Sequence, residues 1–352
     1  MNNNALSIII RTMPGREKFL DKCLFLLTCQ TYSEIEPIIV IQKKQDSDST
    51  NHLTQTIQVW KNSFPKLQVI THTADYDARA LSLNLGKKAA TGRFLAFLDD
   101  DDKVYPEHYS KLIDPLLTKE YVWAYSDIIQ AYYNEYGQLT ARNTPFKRDH
   151  YSFLNHLKGN FIPIHSFVLD LTKVDSNLLV DESFTKHEDY DFLLRLAFKH
   201  EPLYIPSFTA EYCIRTDGSN TIMDGTSDTV TRLKKLQGWM HSHEQLEQKK
   251  VTEFGWWVKE FDSLQINAPF NTSSQNFSYR QALADYYNSS SWRMTRLLRN
   301  LIRSFKNMPK EQICIPHTEV EAKAELDKLL RSTSWEITAP LRLFSRVILR
   351  KK

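Results

Sequence analysis

Features of a membrane-spanning, exported or disulfide-stapled protein are missing from this 352-residue chain. No run approaches the roughly 20 apolar residues that a bilayer-spanning helix needs. Met1 to Asn4 lacks the basic and apolar regions of a signal peptide, so a cytoplasmic protein is the expectation. Cysteine is sparse: Cys23, Cys29, Cys213 and Cys314 have no metal-ligand spacing and read most simply as free thiols. Near the N-terminus only Gly15 is available, which excludes a glycine-rich phosphate loop there. The formal net charge of +3 is nearly neutral for this length and gives no case for nucleic acid as a partner. A hydrophobic content of 41% with 25% charged residues is that of an ordinary soluble protein. The length itself fits one large domain with an appendage, or two domains.

What the chain does have is a block of four aspartates, Asp99 to Asp102, directly after the apolar run Phe94-Leu95-Ala96-Phe97-Leu98. Two carboxylates about 4 Å apart repel by roughly 4 kcal/mol at an effective dielectric of 20, a cost that protons, cations or a bound metal must offset. Hard oxygen ligands without clustered Cys or His point to Mg2+ or Mn2+, which complete their shells with substrate phosphates. The plain alternative is a solvated acidic loop that caps the helix opening at Pro106.

The first hundred residues alternate β-rich runs with helical patterns, the signature of β-α-β units and a mainly parallel sheet. Strands are predicted at 6–10, 37–41, 67–71 and 94–98, with helices near 17–31, 50–63 and 78–91. In open sheets of this kind ligands bind beyond the carboxyl ends of the strands. Arg11 and Thr12, Gln42 and Lys43, and Asp99 to Asp102 all fall at such ends. A helix follows at 106–117, then an aromatic β-type stretch at 121–133 and a turn at 134–137. At 186–196, Phe192, Leu193, Leu196 and Ala197 suit a buried helix face, and Glu188, Asp189 and Asp191 crowd its first turn. Taken alone, such acids read as dipole complementation. After Thr226 the pattern turns to charged and aromatic helices, so the division expected is 1–225 and 226–352.

Together these motifs resemble inverting glycosyltransferases of the family-2, GT-A type. The resemblance covers about residues 5–220. It rests on Ile8-Ile9-Ile10-Arg11-Thr12, Arg16, Gln30-Thr31-Tyr32, Arg79 to Gly86, and above all Ala90-Thr91-Gly92-Arg93-Phe94 through Asp102, with Glu188-Asp189 about ninety residues on. It implies an α/β fold with a mixed, mainly parallel sheet flanked by helices and a helical C-terminal extension. It further implies a nucleotide-diphosphate sugar donor and a hydroxyl on a glycan or lipid-linked acceptor. Asp101, supported by Asp99, would hold Mg2+ or Mn2+, with Asp100 in the same element. Asp189 would be the general base, with Glu188, Asp191 and His165 as base or acceptor support. Arg11, Thr12, Gln42, Arg79 and Arg215 are the remaining donor-side candidates. Where the family commonly ends its second strand in aspartates, this chain has Gln42-Lys43, which leaves the nucleotide open; the Gln42 amide still both donates and accepts. His241 and His243 would point in different directions from a helix and are assigned no chemistry.

Near the C-terminus Ser289-Ser290-Ser291-Trp292 recurs as Ser332-Thr333-Ser334-Trp335, each copy running into a basic amphipathic segment. Such helices suit either an anionic membrane surface, with the protein peripheral on the inner face, or packing against protein, and the pattern leaves both open. Similar tails occur on bacterial surface-polysaccharide glycosyltransferases. Other classes compatible with the acidic motifs are a nucleotidyltransferase, which usually needs the missing glycine-rich loop, and a non-catalytic GT-A-like protein of the membrane surface.

Overall fold

The computed structural model describes residues 4–45, 49–215 and 229–255, Trp257, Val258 and scattered positions from 280 to 328. The chain divides into two compact units, residues 1–226 with 236–270, and residues 227–235 with 271–352. The helical region expected from residue 226 onward thus contributes 236–270 to the first unit. In the second, Thr318 accepts from the Glu321 backbone N–H at 3.2 Å and donates to its carboxylate at 2.8 Å, a reciprocal helix cap. The paired Ser-X-Ser-Trp segments and, apart from isolated positions, their basic helices lie outside the described residues.

The first unit is built on strands dominated by buried apolar residues. β1 (Leu6–Thr12), β2 (Ile35–Lys43) and β4 (Phe94–Asp99) are buried along nearly their whole length, as strands covered on both faces must be. Successive side chains alternate between the faces. Ile8 and Ile10 pack with Leu20, Leu24 and Leu27 of α1 (Glu17–Thr28), Leu53 and Ile57 of α2 (Asn51–Trp60), and Leu112 and Leu116 of α4 (His108–Thr118). On the other face, Ile9 meets Ala80 and Leu83 of α3 (Arg79–Ala89) and the cluster that holds Phe192, Leu193 and Leu196 of α6 (Glu188–Lys199). The apolar spacing that predicts each helix is therefore the spacing that buries it.

Parallel pairing joins β3 (Gln68–Thr73) to β2, β2 to β1, and β1 to β4. The sheet then turns mixed. β8 (Phe167–Asp170) runs antiparallel between β4 and β6 (Trp123–Tyr133), and β9 (Leu203–Arg215) lies parallel to β6. β5 (Lys103–Val104) pairs antiparallel with β9, and β7 (Leu139–Asn143) forms a hairpin on β6. The order is β3-β2-β1-β4-β8-β6-β9-β5. A short helix, α5 (Phe153–Lys158), opens on Ser152, whose hydroxyl accepts from the Asn155 N–H, and α7 (Thr229–Phe254) closes the run of elements. Among the described residues no helix is long and apolar enough to cross a membrane.

Two glycines let the layers approach. A Cβ at Gly86 would stand 2.5 Å from Ile9 Cγ2, so α3 lies directly against β1. At Gly92 a Cβ would meet the Ala5 carbonyl oxygen, and the Gly92 N–H donates to Ser7 Oγ at 3.0 Å. The chain entering β4 is thereby locked to β1, which sets the register Ile10↔Leu98 and Arg11↔Asp99. Gly92→Ala forces backbone to move and should cost about 1–3 kcal/mol, as overpacking does; a lowered urea midpoint with an unchanged m-value is the expected reading.

Candidate active site

The β1–β4 register puts Arg11 opposite Asp99 at the carboxyl ends of two central strands. Arg11 Nε and Nη2 donate to the two Asp99 oxygens at 2.8 and 2.7 Å, a fork-to-fork pair, while Nη1 reaches Glu188 Oε1 at 3.1 Å. One buried guanidinium therefore joins the two acidic motifs. Arg79 adds a second cation, its Nε 3.6 Å from Glu188 Oε1. It is forked onto Asp77, which also accepts from Lys186 at 2.8 Å. Burial alone would raise the Asp99 carboxyl, but the Arg11 charge outweighs it and the net direction is down.

The remaining aspartates are shared out in turn. Asp100 accepts from Thr12 Oγ1 at 2.6 Å and from Arg16 at 2.6–3.0 Å, yet burial still holds its carboxyl above the usual range. Asp101 lies 2.9 Å from Arg16 Nη2 and 3.4 Å from Arg215 Nη1, and its backbone carbonyl accepts from Arg215 at 2.6 Å. Burial, followed by the neighbouring Asp102, pushes the Asp101 carboxyl up to about 7. Asp102 accepts from the Cys213 N–H at 2.8 Å and stands 3.0 Å from His165 Nδ1, an ionic contact without hydrogen-bond alignment. His165 is buried and stacks on Tyr212. Burial opposes its protonation, but Asp102 and the adjacent aspartates outweigh this and raise it.

Asp189 differs from all of these. Among the described residues it has no ion pair; Oδ1 accepts from the Tyr190 N–H at 2.8 Å and Oδ2 from Asn160 Nδ2 at 3.3 Å. Burial first, then the Glu188 charge, lifts its carboxyl to about 7. The two motifs share one space, since Tyr212 is buried within reach of the charges of Asp99, Asp101, Asp102 and Asp189, all of which raise its phenol. The residue before the acidic pair, His187, caps α6 at φ 64° and ψ 16°. It is the one non-glycine residue with positive φ among the described residues, a conformation that costs about 1–2 kcal/mol for an L residue.

The fold thus brings together Arg11, Thr12, Arg79, Asp99, Asp100, Asp101, His165, Glu188, Asp189 and Arg215. Gln42 lies at the end of β2 and donates to the Tyr76 carbonyl at 2.6 Å. Asp191 is committed elsewhere, to Arg195 at 2.9 Å and Lys249 at 2.9 Å. Not anticipated as site residues are Arg16, Asp77, Asp102, Asn160, Lys186 and Tyr212. Arg16 was visible as a cation one turn beyond strand β1, and Asp77 as a carboxylate two residues before Arg79. Nothing in the sequence marks Asn160 as the partner of Asp189.

As to a metal, no three His, Cys, Asp or Glu side chains converge to hold one by protein ligands alone among the described residues. The donor set nevertheless fits Mg2+ or Mn2+, which take one or two carboxylates and complete their shells with phosphate and water. Asp101 carries negative charge that its two arginines do not fully offset, and each Asp99 oxygen keeps a lone pair beyond its bond to Arg11.

Comparison with known proteins agrees with this geometry. Residues 7–175 match the sequence model of glycosyl transferase family 2. That segment is just under half of the chain, and the mixed sheet with flanking helices matches the GT-A fold of that family. An uncharacterised glycosyltransferase of Escherichia coli, YibD, is 30% identical over 112 residues, 32% of this chain and 30% of the relative. One from Methanocaldococcus jannaschii is 23% identical over 203 residues, 55% of this chain and 65% of the relative. The matched stretches therefore span less than two thirds of these two proteins. Crystal structures of Staphylococcus aureus TarS, residues 1–349, in complex with UDP and with UDP-GlcNAc, share 15% identity with TM-scores of 0.46 and 0.49. They cover 86% and 85% of this chain and 77% of theirs.

Two consequences are measurable. Arg11→Met leaves the partly exposed Asp99 without its cation and Glu188 with Arg79 alone, and should destabilise by about 1–3 kcal/mol at pH 7. Because the folded state depresses the Asp99 carboxyl, that loss should shrink in urea titrations as pH falls below about 4. Asp101→Asn should act oppositely. A carboxyl raised in the folded state loses stability as pH climbs from about 4 to 7. The amide should therefore raise Tm at pH 8 in EDTA and give little gain at pH 4.

Proposed function

We propose that this chain is an inverting glycosyltransferase that moves a sugar from a nucleotide-diphosphate donor to a hydroxyl of a glycan or lipid-linked acceptor. The observation that carries it is Asp189: a partly buried carboxyl with no ion pair among the described residues, raised to about 7, whose charge acts on Tyr212 together with those of Asp99, Asp101 and Asp102. The match of residues 7–175 to the family-2 sequence model, and relatives named as glycosyltransferases, support the same reading.

In this reading Asp189 takes the proton of the acceptor hydroxyl as its oxygen attacks the anomeric carbon on the face opposite the leaving diphosphate. A general base works best with a pKa near the operating pH, and its contribution is typically 10²- to 10⁴-fold. Asn160 donates to one carboxylate oxygen and the Tyr190 N–H to the other, which fixes the plane of the base. Arg11 and Arg79 hold Glu188, so that the acid next to the base is tied down by two cations. Arg16 and Arg215, already beside Asp101, supply positive charge where the diphosphate departs. Mg2+ or Mn2+ at Asp101, with Asp99 in support, would add Lewis-acid stabilisation of the leaving phosphates. Gln42 and Thr12 lie at the strand ends on the donor side. A role in bacterial surface-polysaccharide synthesis, on the inner face of the membrane, rests on the C-terminal sequence pattern alone.

Asp189→Asn should lower kcat by about 10²- to 10⁴-fold while donor binding persists. In the wild type, kcat should fall as pH drops below about 7, because the base must be ionised. Near-normal turnover of Asp189→Asn would overturn the assignment. The donor is read by thermal shift with UDP-, dTDP- and GDP-sugars in Mn2+, Mg2+ or EDTA. Saturation at 100 times Kd adds about 2.7 kcal/mol of stability. The expected outcome is metal-dependent stabilisation by one nucleotide class, lost in Asp101→Ala.

A further inference from the structure

The segment that delivers the base to the site, residues 181–187, is laid along α7 as if on a template. Four alternate residues of the segment meet four residues of the helix in reverse order. Asp181 Oδ2 accepts from Lys249 Nζ at 2.6 Å, and Ser183 Oγ accepts from Gln245 Nε2 at 2.6 Å. Thr185 and Ser242 hydroxyls lie 3.2 Å apart, and the His187 ring meets the Trp239 indole edge-on, with centroids at 4.8 Å and planes at 81°. From 239 to 249 the helix advances about 15 Å, at 1.5 Å per residue. The segment itself turns as it follows the helix, the Phe184 N–H donating to the Asp181 carbonyl at 3.3 Å and the Ser183 N–H to Asp181 Oδ1 at 2.9 Å. The register is closed on both sides. His243 flanks His187 at 6.1 Å, and Lys249 also reaches Asp191 Oδ1 at 2.9 Å, one turn into α6. Lys250 donates to the Leu157 carbonyl at 2.7 Å and lies 5.0 Å from the Tyr190 ring centre.

The zipper ends on the strained residue. His187 holds φ 64°, a backbone state that glycine adopts freely and a histidine adopts only when its surroundings fix it. Its ring is partly buried, and this desolvation lowers its pKa to about 4, so its contact with Trp239 is between two uncharged rings. Directly after it come Glu188 and Asp189. The direction of the Asp189 carboxylate is therefore set by the turn at His187.

We propose that α7 is the positioning element of the general base: Trp239 holds His187 in the left-handed turn that aims Asp189 at the acceptor, and both are positioning residues. Resting on the transferase reading, the idea adds to it a dependence on residues outside the family match at 7–175. Three variants, His187→Gly, Trp239→Ala and Trp239→Phe, test it in the full chain. Tm, kcat, donor KM and a ¹³C-carboxyl titration of Asp189 are the readouts. Glycine relieves the backbone strain, so His187→Gly should keep or gain Tm. With the ring gone, kcat should drop roughly 10- to 100-fold, the scale set by misplacing a reacting group by about 1 Å. Donor KM should stay unchanged and the Asp189 titration midpoint should move. Trp239→Ala should behave alike, and Trp239→Phe should restore most of both properties.

Wild-type kcat together with an unmoved Asp189 midpoint in His187→Gly would overturn the proposal. So would a kcat loss in every variant that only tracks the unfolded fraction while the midpoint stays fixed. If the wild type transfers no sugar from any donor, the transferase reading fails instead, and the titration still decides the positioning role: a moved midpoint sustains it, a fixed one sinks it.

Discussion

The arrangement hangs on one guanidinium. Arg11 stands next to the end of a buried strand, and it binds acids that lie 88 and 177 residues further along the chain. Neither acid would tolerate burial alone. An isolated buried carboxylate costs several kcal/mol, and a cation repays this only with good geometry and full hydrogen bonding. The fork onto Asp99 meets that condition because the strand register places the two residues opposite each other. The register depends in turn on the close passage of Gly92 past Ala5. Packing at one end of β4 thus determines electrostatics at the other.

With Arg11 in place, the rest of the charge is distributed by proximity. Arg16 serves Asp100 and Asp101, Arg215 reaches Asp101, Arg79 and Lys186 hold Asp77, and His165 stands against Asp102. Asp101 and Asp189 remain with carboxyls near 7, both raised first by desolvation and then by a neighbouring acid, Asp102 and Glu188 respectively. These are the two positions to which the proposed reaction gives a metal and a proton acceptor, so the raised carboxyls and the proposed roles coincide.

Much of this was legible in the sequence, for identifiable reasons. Buried parallel strands read as continuous apolar runs, and Leu6 to Ile10 and Phe94 to Leu98 announce themselves, as do the helices whose apolar residues recur every three or four positions. β8, β5 and α5 carry no such signal, being two to six residues long. The direction in which β8 inserts between β4 and β6 is a property of pairing, which periodicity does not encode. Acidic residues could be counted, but whether an arginine is buried could not. Asp191 looked like its neighbours in the first turn of α6 and faces the other way, toward Lys249, because successive helix positions point about 100° apart. His187 gave no hint of its left-handed turn; only the backbone reveals it.

The place of β8 in the sheet bears on how the chain emerges from the ribosome. β1, β2, β3 and β4 are complete by residue 99 and neighbour one another in the sheet, so this half has all its strands as soon as they are made. The outer edge of β4, however, waits for Phe167–Asp170, almost seventy residues later. At the 5–20 residues per second typical of synthesis this leaves an apolar strand edge bare for about 3–14 s. An open hydrophobic edge is a template for wrong pairing.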